Sequence, residues 1–499
     1  MTETPWLTLA LAAPLVVAIV AFARRRPTRA LVVVGAAGSL ALVGIVTALV
    51  ASSAGAPRAD PWLWEGAPLL AFDMLSASMA LACGVLVLVV AIVAPRRELA
   101  PTPVALLFVT ESLVFATFAM TRVVPLVVVW SAVGLPAFVL ARSVRGVPRV
   151  VARTAGPLLV GTAAPLVVVV LLRDGAVDGV LFGVLFVAVL GRMGLFPFHS
   201  WLAPMLVEAP CVVALPLVGS CTGPYLLARL AVPVAAWSPR GLSVLGALAV
   251  VGALHAALLA LGERRMRYAV AYVVMSESAL VFAGLCTAEP YAMRGAMLFS
   301  IGESFAATGL LVATGALESR VGPIDVSRYH GFHRSMPRIA SVYLACALAA
   351  VGFPGFACYV GEDLLLEGEV HRQLALGVAL AVVAALNGVT AFRAFARAFL
   401  GPASADVASA PSDLLPRKRI VFAALLAAQL GFGLLPMTLL RRLPIESSWT
   451  GAPSRAGPAL DAPAEPSAEA GREVGAPAAV APGAVAPGAV APGAVAPAR

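Results

Sequence analysis

Three carboxylates stand where an apolar chain tolerates them least: Glu277 in "VVMSESALVF", Glu303 in "FSIGESFAAT" and Glu362 in "YVGEDLLLEG". The first two are flanked on both sides by apolar residues, with Ser276, Ser278 and Ser304 adjacent. An ionised side chain at the centre of a bilayer costs about 3 kcal/mol or more, so such residues must face the protein interior or water. A carboxyl held in that setting suits proton uptake and release, and Glu277 and Glu303 read as proton-pathway residues. The alternative is a purely structural hydrogen-bonding role.

Asp73, Glu111, Arg192, His255 and Arg393 are further ionisable residues inside apolar stretches. Asp73, Arg393 and Arg397 fall near the ends of those stretches, where long side chains can snorkel to the interface. His255 fits a packing histidine as well as a proton carrier.

Two of the stretches are interrupted. "RMGLFPFHSWLAP" places Pro197 and His199 just after Arg192, and "AVGFPGFACYVGED" places Pro354 between Gly352 and Gly355, shortly before Glu362. Proline and glycine there free backbone carbonyls and expose half-helix ends. Non-helical backbone at depth survives only where it is buried in protein or lines a watery cavity. Two broken helices in corresponding halves point to an inverted-repeat transporter with a pathway near the midplane.

The elements that must carry these residues follow from composition. Hydrophobic residues make up 61% and charged residues 12% of 499, far from the balance of a soluble domain. Apolar runs recur along the chain, about fourteen of them long enough to cross the hydrocarbon. An all-α polytopic membrane protein is expected, because runs such as "LVVVVLL" are apolar on every face and do not alternate as barrel strands do. The expected organisation is a three-helix segment (1–101), a first five-helix repeat (102–230), and an inverted second five-helix repeat (241–401). A loop and final helix (402–443) and an Ala/Pro/Gly-rich tail (444–499) follow. Helices 7 and 12 are the discontinuous ones. The tail ends in "AVAPGAVAPGAVAPGAVAPAR" and lacks the large apolar residues that offset ordering entropy, so it reads as disordered.

Arginines cluster in alternate loops, at Arg24–Arg26, Arg96–Arg97, Arg142–Arg153, Arg264–Arg267, Arg320–Arg338 and Arg417–Arg419. The positive-inside rule puts those loops in the cytoplasm and both termini on the other side of the cell (inner or plasma) membrane. Arg441 and Arg442 run against it. The net charge of +9 comes from these loops, and no nucleic-acid module accompanies it. The six cysteines include no C-x-x-C pair. They read as packing residues, so no metal or cofactor is expected. A stand-alone enzyme is disfavoured, since no Ser/His/Asp set, zinc spacing or phosphate loop is visible.

Residues 196–210, "FPFHSWLAPMLVEAP", resemble the "PFHxWLPDAHxEAP" motif of the antiporter-like subunits of respiratory complex I and multisubunit cation/proton antiporters. "AYVVMSESAL", "LFSIGESFAATGLL", "DVSRYHGFHRSMP" and "VGFPGFACYVGEDLLL" resemble further motifs of that family, in order, from about Asp73 to Gly401. The form is most similar to the M-type subunit. The resemblance implies a proton-translocating module without a redox cofactor, driven by partner membrane subunits. It also implies a line of charged residues along the midplane.

Several positions depart from that line. A tryptophan–glutamate pair of the family reads Trp130–Ser131, a lysine is replaced by Arg192, and another lysine position falls at Gly223. Two histidine positions become Glu277 and Glu303, while acids are kept at Glu111 and Glu362. Arginine holds its proton, so Arg192 acts as a fixed charge and needs an anion; Glu111 and Glu208 are the candidates. The favoured function is a proton-translocating antiporter-like subunit of a larger complex. Two alternatives keep the fold. One is the proton-conducting membrane half of an inorganic-carbon uptake system with a soluble zinc-dependent partner, and the other is a non-conducting scaffold.

Overall fold

The computed structural model describes residues 5–24, 26–53, 56–64, 67–143, 165, 179–212, 221–235, 239–402, 413–441 and 443. Nearly all of the sixth expected span, the arginine-bearing loop after Ser143, residues 213–220 of the eighth span and the tail from 444 lie outside them.

In lipid every backbone N–H and C=O must be paired within its own segment, and the described chain is accordingly helical. The first helices are α1 (Trp6–Ala23), α2 (Arg29–Ser52), α3 (Met74–Val93), α4 (Pro101–Ala119), α5 (Val123–Ala132) and α6 (Gly134–Ser143). Next come α7 (Gly179–Met193), the short α8 (Leu202–Glu208), α9 (Thr222–Ala235), α10 (Pro239–Gly262), α11 (Met266–Cys286) and α12 (Pro290–Val321). The series closes with α13 (Pro337–Ala350), α14 (Ala357–Arg372), α15 (Leu374–Phe399), α16 (Pro416–Leu434) and α17 (Pro436–Leu440). Two tiny antiparallel strand pairs, Arg58–Ala59 with Ala71–Phe72 and Leu63–Trp64 with Ala67–Pro68, shape the α2–α3 loop.

Among the described residues eight helices are long and apolar enough to cross a membrane: α1 to α4, α10, α11, α12 and α15. Helix α12 is the hub. Its 32 residues reach ~48 Å at ~1.5 Å per residue, and the most apolar part of it is 100% buried, against 28% for α1. Helices α11, α13, α14 and α16 pack around it. Glycine permits close approach here: a Cβ on Gly361 of α14 would lie 2.5 Å from the Phe299 backbone nitrogen of α12. A functional group on α12 is thus shielded from lipid by protein on every side.

In its described residues the apolar stretch at 207–229 is not one continuous helix. Helix α8 ends at Glu208, and Ala209 is extended before Pro210, as the residue preceding a proline prefers. Helix α9 then begins at Thr222.

The interrupted seventh and twelfth spans end their first halves alike. After α7, Gly194 adopts φ +65, its N–H bonds Gly191 O and the Leu195 N–H bonds Leu190 O. After α13, Gly352 adopts φ +67, its N–H bonds Ala349 O and the Phe353 N–H bonds Leu348 O. Both are Schellman terminations, which need a residue comfortable in the left-handed region. The following turns also match, Phe198 N to Leu195 O and Phe356 N to Phe353 O.

Candidate functional site

Helix α11 carries Glu277 and α12 carries Glu303, at 2% and 5% exposure. The Ser278 hydroxyl donates to Glu303 Oε1 at 2.7 Å, tying the two helices at that level. Glu277 lies within electrostatic reach of both Glu303 and Glu362, and its Oε1 has no hydrogen-bond partner among the described residues. Glu362 comes from α14, just beyond the second break, where a Cβ on Gly352 would run into its carboxylate. The glycine termination therefore makes room for the acid. Three carboxyls from three helices converge here.

Cys358 lies within electrostatic reach of all three carboxyls. Gln429 of α16 closes the cluster, its Nε2 donating to Gly302 O at 2.5 Å, one residue before Glu303. Neither residue stands out in the sequence. A lone glutamine in α16 and a cysteine in a packing position carry no spacing signal.

A cavity of about 60 Å³ opens beside the cluster, lined by Arg192, Trp201, Thr222, Gly223, Ser278, Ser300, Glu303 and Ser304, among others. That is room for a short chain of water, and the walls are polar enough to hold one. Arg192 of α7 and Glu303 of α12 thus face one chamber. At Gly223, a Cβ would lie 2.7 Å from Met193 Cγ, so the glycine lets the α7 terminus close against α9.

The expected anions for Arg192 are not its partners. Arg192 donates to Trp130 O at 2.5 Å and lies over the Trp130 ring, 4.7 Å from its centroid. Glu111 is buried in α4 with neither carboxylate oxygen hydrogen-bonded among the described residues. Glu208 is elsewhere, exposed, accepting from the Tyr268 hydroxyl at 3.1 Å with Arg265 at 3.9 Å. An aromatic face and a carbonyl replace the carboxylate, and both suit a guanidinium in a dry setting.

Pro197 and His199 bring the first break against α10. The His199 and His255 rings meet edge to face at 5.0 Å, and Phe196 lies 5.6 Å from His255. Pro354 and Gly355 form the second break, where Gly433 of α16 approaches the Gly355 carbonyl so closely that a Cβ could not fit. Arg393 is apart from the acids; it donates to Glu263 O at 2.7 Å and so caps the end of α10.

Asp73 does not snorkel. Its Oδ1 accepts the Ser76 N–H at 2.8 Å at the start of α3, and its Oδ2 pairs with Arg229 of α9 at 2.5 Å, both side chains buried. The Arg229 guanidinium also lies over the Tyr225 ring, whose hydroxyl bonds Ser76 and Phe118 O. This network ties α3, α4 and α9 together. Arg229 was invisible as a partner because 156 residues separate it from Asp73. Among the described residues no group of three or more His, Cys, Asp or Glu could hold a metal ion.

Long apolar helices, two with glycine-terminated breaks, surrounding a buried acidic cluster define a multi-pass all-α protein of the cell (inner or plasma) membrane. Residues 173–387 match the family described as NADH:quinone oxidoreductase/Mrp antiporter, transmembrane, and the chain resembles the antiporter-like M-type membrane subunits. It is 27% identical over 270 residues to NADH-quinone oxidoreductase subunit M of Rhodobacter capsulatus, covering 52% of each chain. It is 28% identical over 273 residues to the Mycobacterium tuberculosis subunit M, covering 54% of this chain and 49% of that one. The chain spans about half the length of the curated relatives it matches. In fold it is similar to a chain of respiratory complex I from Thermus thermophilus (TM-score 0.75, 23% identity, 89% of this chain and 98% of that one). It is also similar to a chain of the Mrp complex from Dietzia sp. DQ12-45-1b (TM-score 0.77, 20% identity, 88% and 96%).

Proposed function

We propose that this antiporter-like subunit conducts protons as part of a larger membrane complex, passing them among Glu277, Glu303 and Glu362. The observation that carries the reading is the convergence of these three carboxyls, with Arg192 facing Glu303 across a polar cavity. Like charges at this spacing repel, so the set carries fewer charges than it has carboxyls and a proton is shared among them. Water in the cavity links the set to the first break. Arg192 keeps its proton and serves as a fixed positive charge that stabilises a carboxylate at Glu303 when one forms.

The matching terminations at Gly194 and Gly352 support two inverted five-helix repeats (102–230 and 241–401) within about fourteen spans, the spans broken at Pro197 and Pro354 being the discontinuous pair. The arginine loops support both termini facing away from the cytoplasm. The similar chains of complex I and the Mrp complex support other membrane subunits as partners.

Membrane vesicles carrying the full chain assembled in its native complex test the reading. A potassium gradient with valinomycin drives flux, read with a pH-sensitive dye. Glu362→Gln abolishes proton uptake, while Asp363→Asn, altering the exposed neighbour, leaves it unchanged. Equal uptake in both variants would remove Glu362 from the route.

A further inference from the structure

Glu369 lies on α14 seven residues after Glu362 and is only 2% exposed. Seven helical residues bring a side chain back to the same face, ~10.5 Å further along. Its carboxylate makes no hydrogen bond or ion pair among the described residues, although the Arg372 guanidinium acts on it. Arg372 is anchored over this end of the bundle, donating to Cys286 O at 3.1 Å, Thr287 O at 2.5 Å and Ser243 Oγ at 2.6 Å. Next to Glu369, a Cβ on Gly368 would lie 2.9 Å from Glu289 Oε2, so that acid is close by too. Glu289 caps α12 by accepting the Ala292 N–H at 2.7 Å. A buried carboxyl is thus placed between the midplane acids and a polar, water-facing rim.

Leu365 separates the two carboxyls. It stands on the same face, three residues after Glu362 and four before Glu369, and is 2% exposed. Its side chain fills the space over Gly284 of α11, where a Cβ would lie 2.7 Å from Leu365 Cγ. In this conformation the buried Leu365 side chain occupies the stretch between the acids.

Building on the proton-conducting reading above, we infer that Glu369 is the carboxyl through which the midplane acids exchange protons with the membrane face bearing Glu289 and Arg372, and that Leu365 is the apolar plug between them. The basic-loop pattern assigns that face to the non-cytoplasmic side. When Leu365 swings away, a proton leaves the Glu362 carboxyl for water and the Glu369 carboxylate takes one up. Glu369 then gives its proton to water at the rim. Each step breaks one O–H bond and forms one, and no other bond changes. Arg372 stabilises the carboxylate left behind.

Right-side-out membrane vesicles from cells that assemble the full chain in its native complex provide the test, in two arms. In the first, Glu369→Gln lowers proton flux at least tenfold, Glu369→Asp restores part of it, and Glu367→Gln, on the exposed face, changes nothing. In the second, Glu369→Cys in a Cys286→Ala background reacts with a membrane-impermeant thiol reagent added outside, and Leu365→Cys reacts much more slowly. Normal flux in Glu369→Gln beside a conducting parent overturns the exchange role and leaves the conduction reading in place. A parent that carries no protons overturns the conduction reading itself. An unreactive Glu369→Cys overturns the placement whatever the flux.

Discussion

Gly194 and Gly352 end their helices with the same pair of hydrogen bonds and nearly the same backbone angle, φ +65 and +67. Alanine at either position takes on a left-handed conformation costing about 1–2 kcal/mol. It also collides, with Leu202 in the first case and with the Glu362 carboxylate in the second. Gly322, at φ +80, has open space around it. Thermal unfolding in detergent should show Gly194→Ala and Gly352→Ala losing more stability than Gly322→Ala. Equal losses in all three would mean that the breaks hold no tighter fit than an ordinary helix end.

The Asp73–Arg229 pair predicts a large stability effect. Removing one member leaves the other charge buried and uncompensated, which costs about 3–5 kcal/mol. Asp73→Asn and Arg229→Met each should lower the unfolding temperature sharply, and the double variant should recover much of the loss. Additive losses in the double-mutant cycle would show that the two are not coupled.

Ser278 donates the one hydrogen bond that Glu303 accepts among the described residues. Ser278→Ala should weaken the fold by about 1 kcal/mol and slow proton flux, whereas Ser278→Thr keeps the hydroxyl and much of the rate. Unchanged flux in Ser278→Ala would show that Glu303 needs no such positioning.

Outside the membrane, Asp325 in the loop after α12 accepts the Ser327 N–H at 2.9 Å. The backbone and side-chain hydrogen bonds from Ser327 hold its carboxyl below the usual aspartate value of 3.8. A depressed folded-state value stabilises the turn above pH 3.8 and loses that contribution as pH falls through the lower value. The protection factor of the Ser327 amide, taken relative to its intrinsic exchange rate at each pH, should therefore be full at neutral pH and fall in acid. Asp325→Asn should show the lower protection already at pH 7; protection equal to the parent would rule out the carboxylate as its source.

The reach of sequence reasoning follows from what each feature depends on. The breaks were legible because proline and glycine act locally, and Glu277 and Glu303 because an isolated acid in an apolar run is anomalous by itself. Pairings were not. Arg229 meets Asp73, and Arg192 meets the Trp130 carbonyl and ring in place of Glu111 or Glu208, through the packing of helices far apart in the chain. Glu369 was overlooked in "GEDLLLEGE", where Glu367 and Glu369 look like one polar helix end. Only the packing of α14 on α12 separates the exposed acid from the buried one.

Proton flux through vesicles bearing Glu277→Gln, Glu303→Gln and the double variant decides whether these acids carry protons. The sharing of a proton among acids on α11, α12 and α14 predicts that each single change abolishes flux while the protein still inserts and folds. Glu303→His should retain part of the flux, because histidine also titrates near neutral pH. Flux at the parent's rate in the double variant would contradict the account and leave these helices a frame without a proton path.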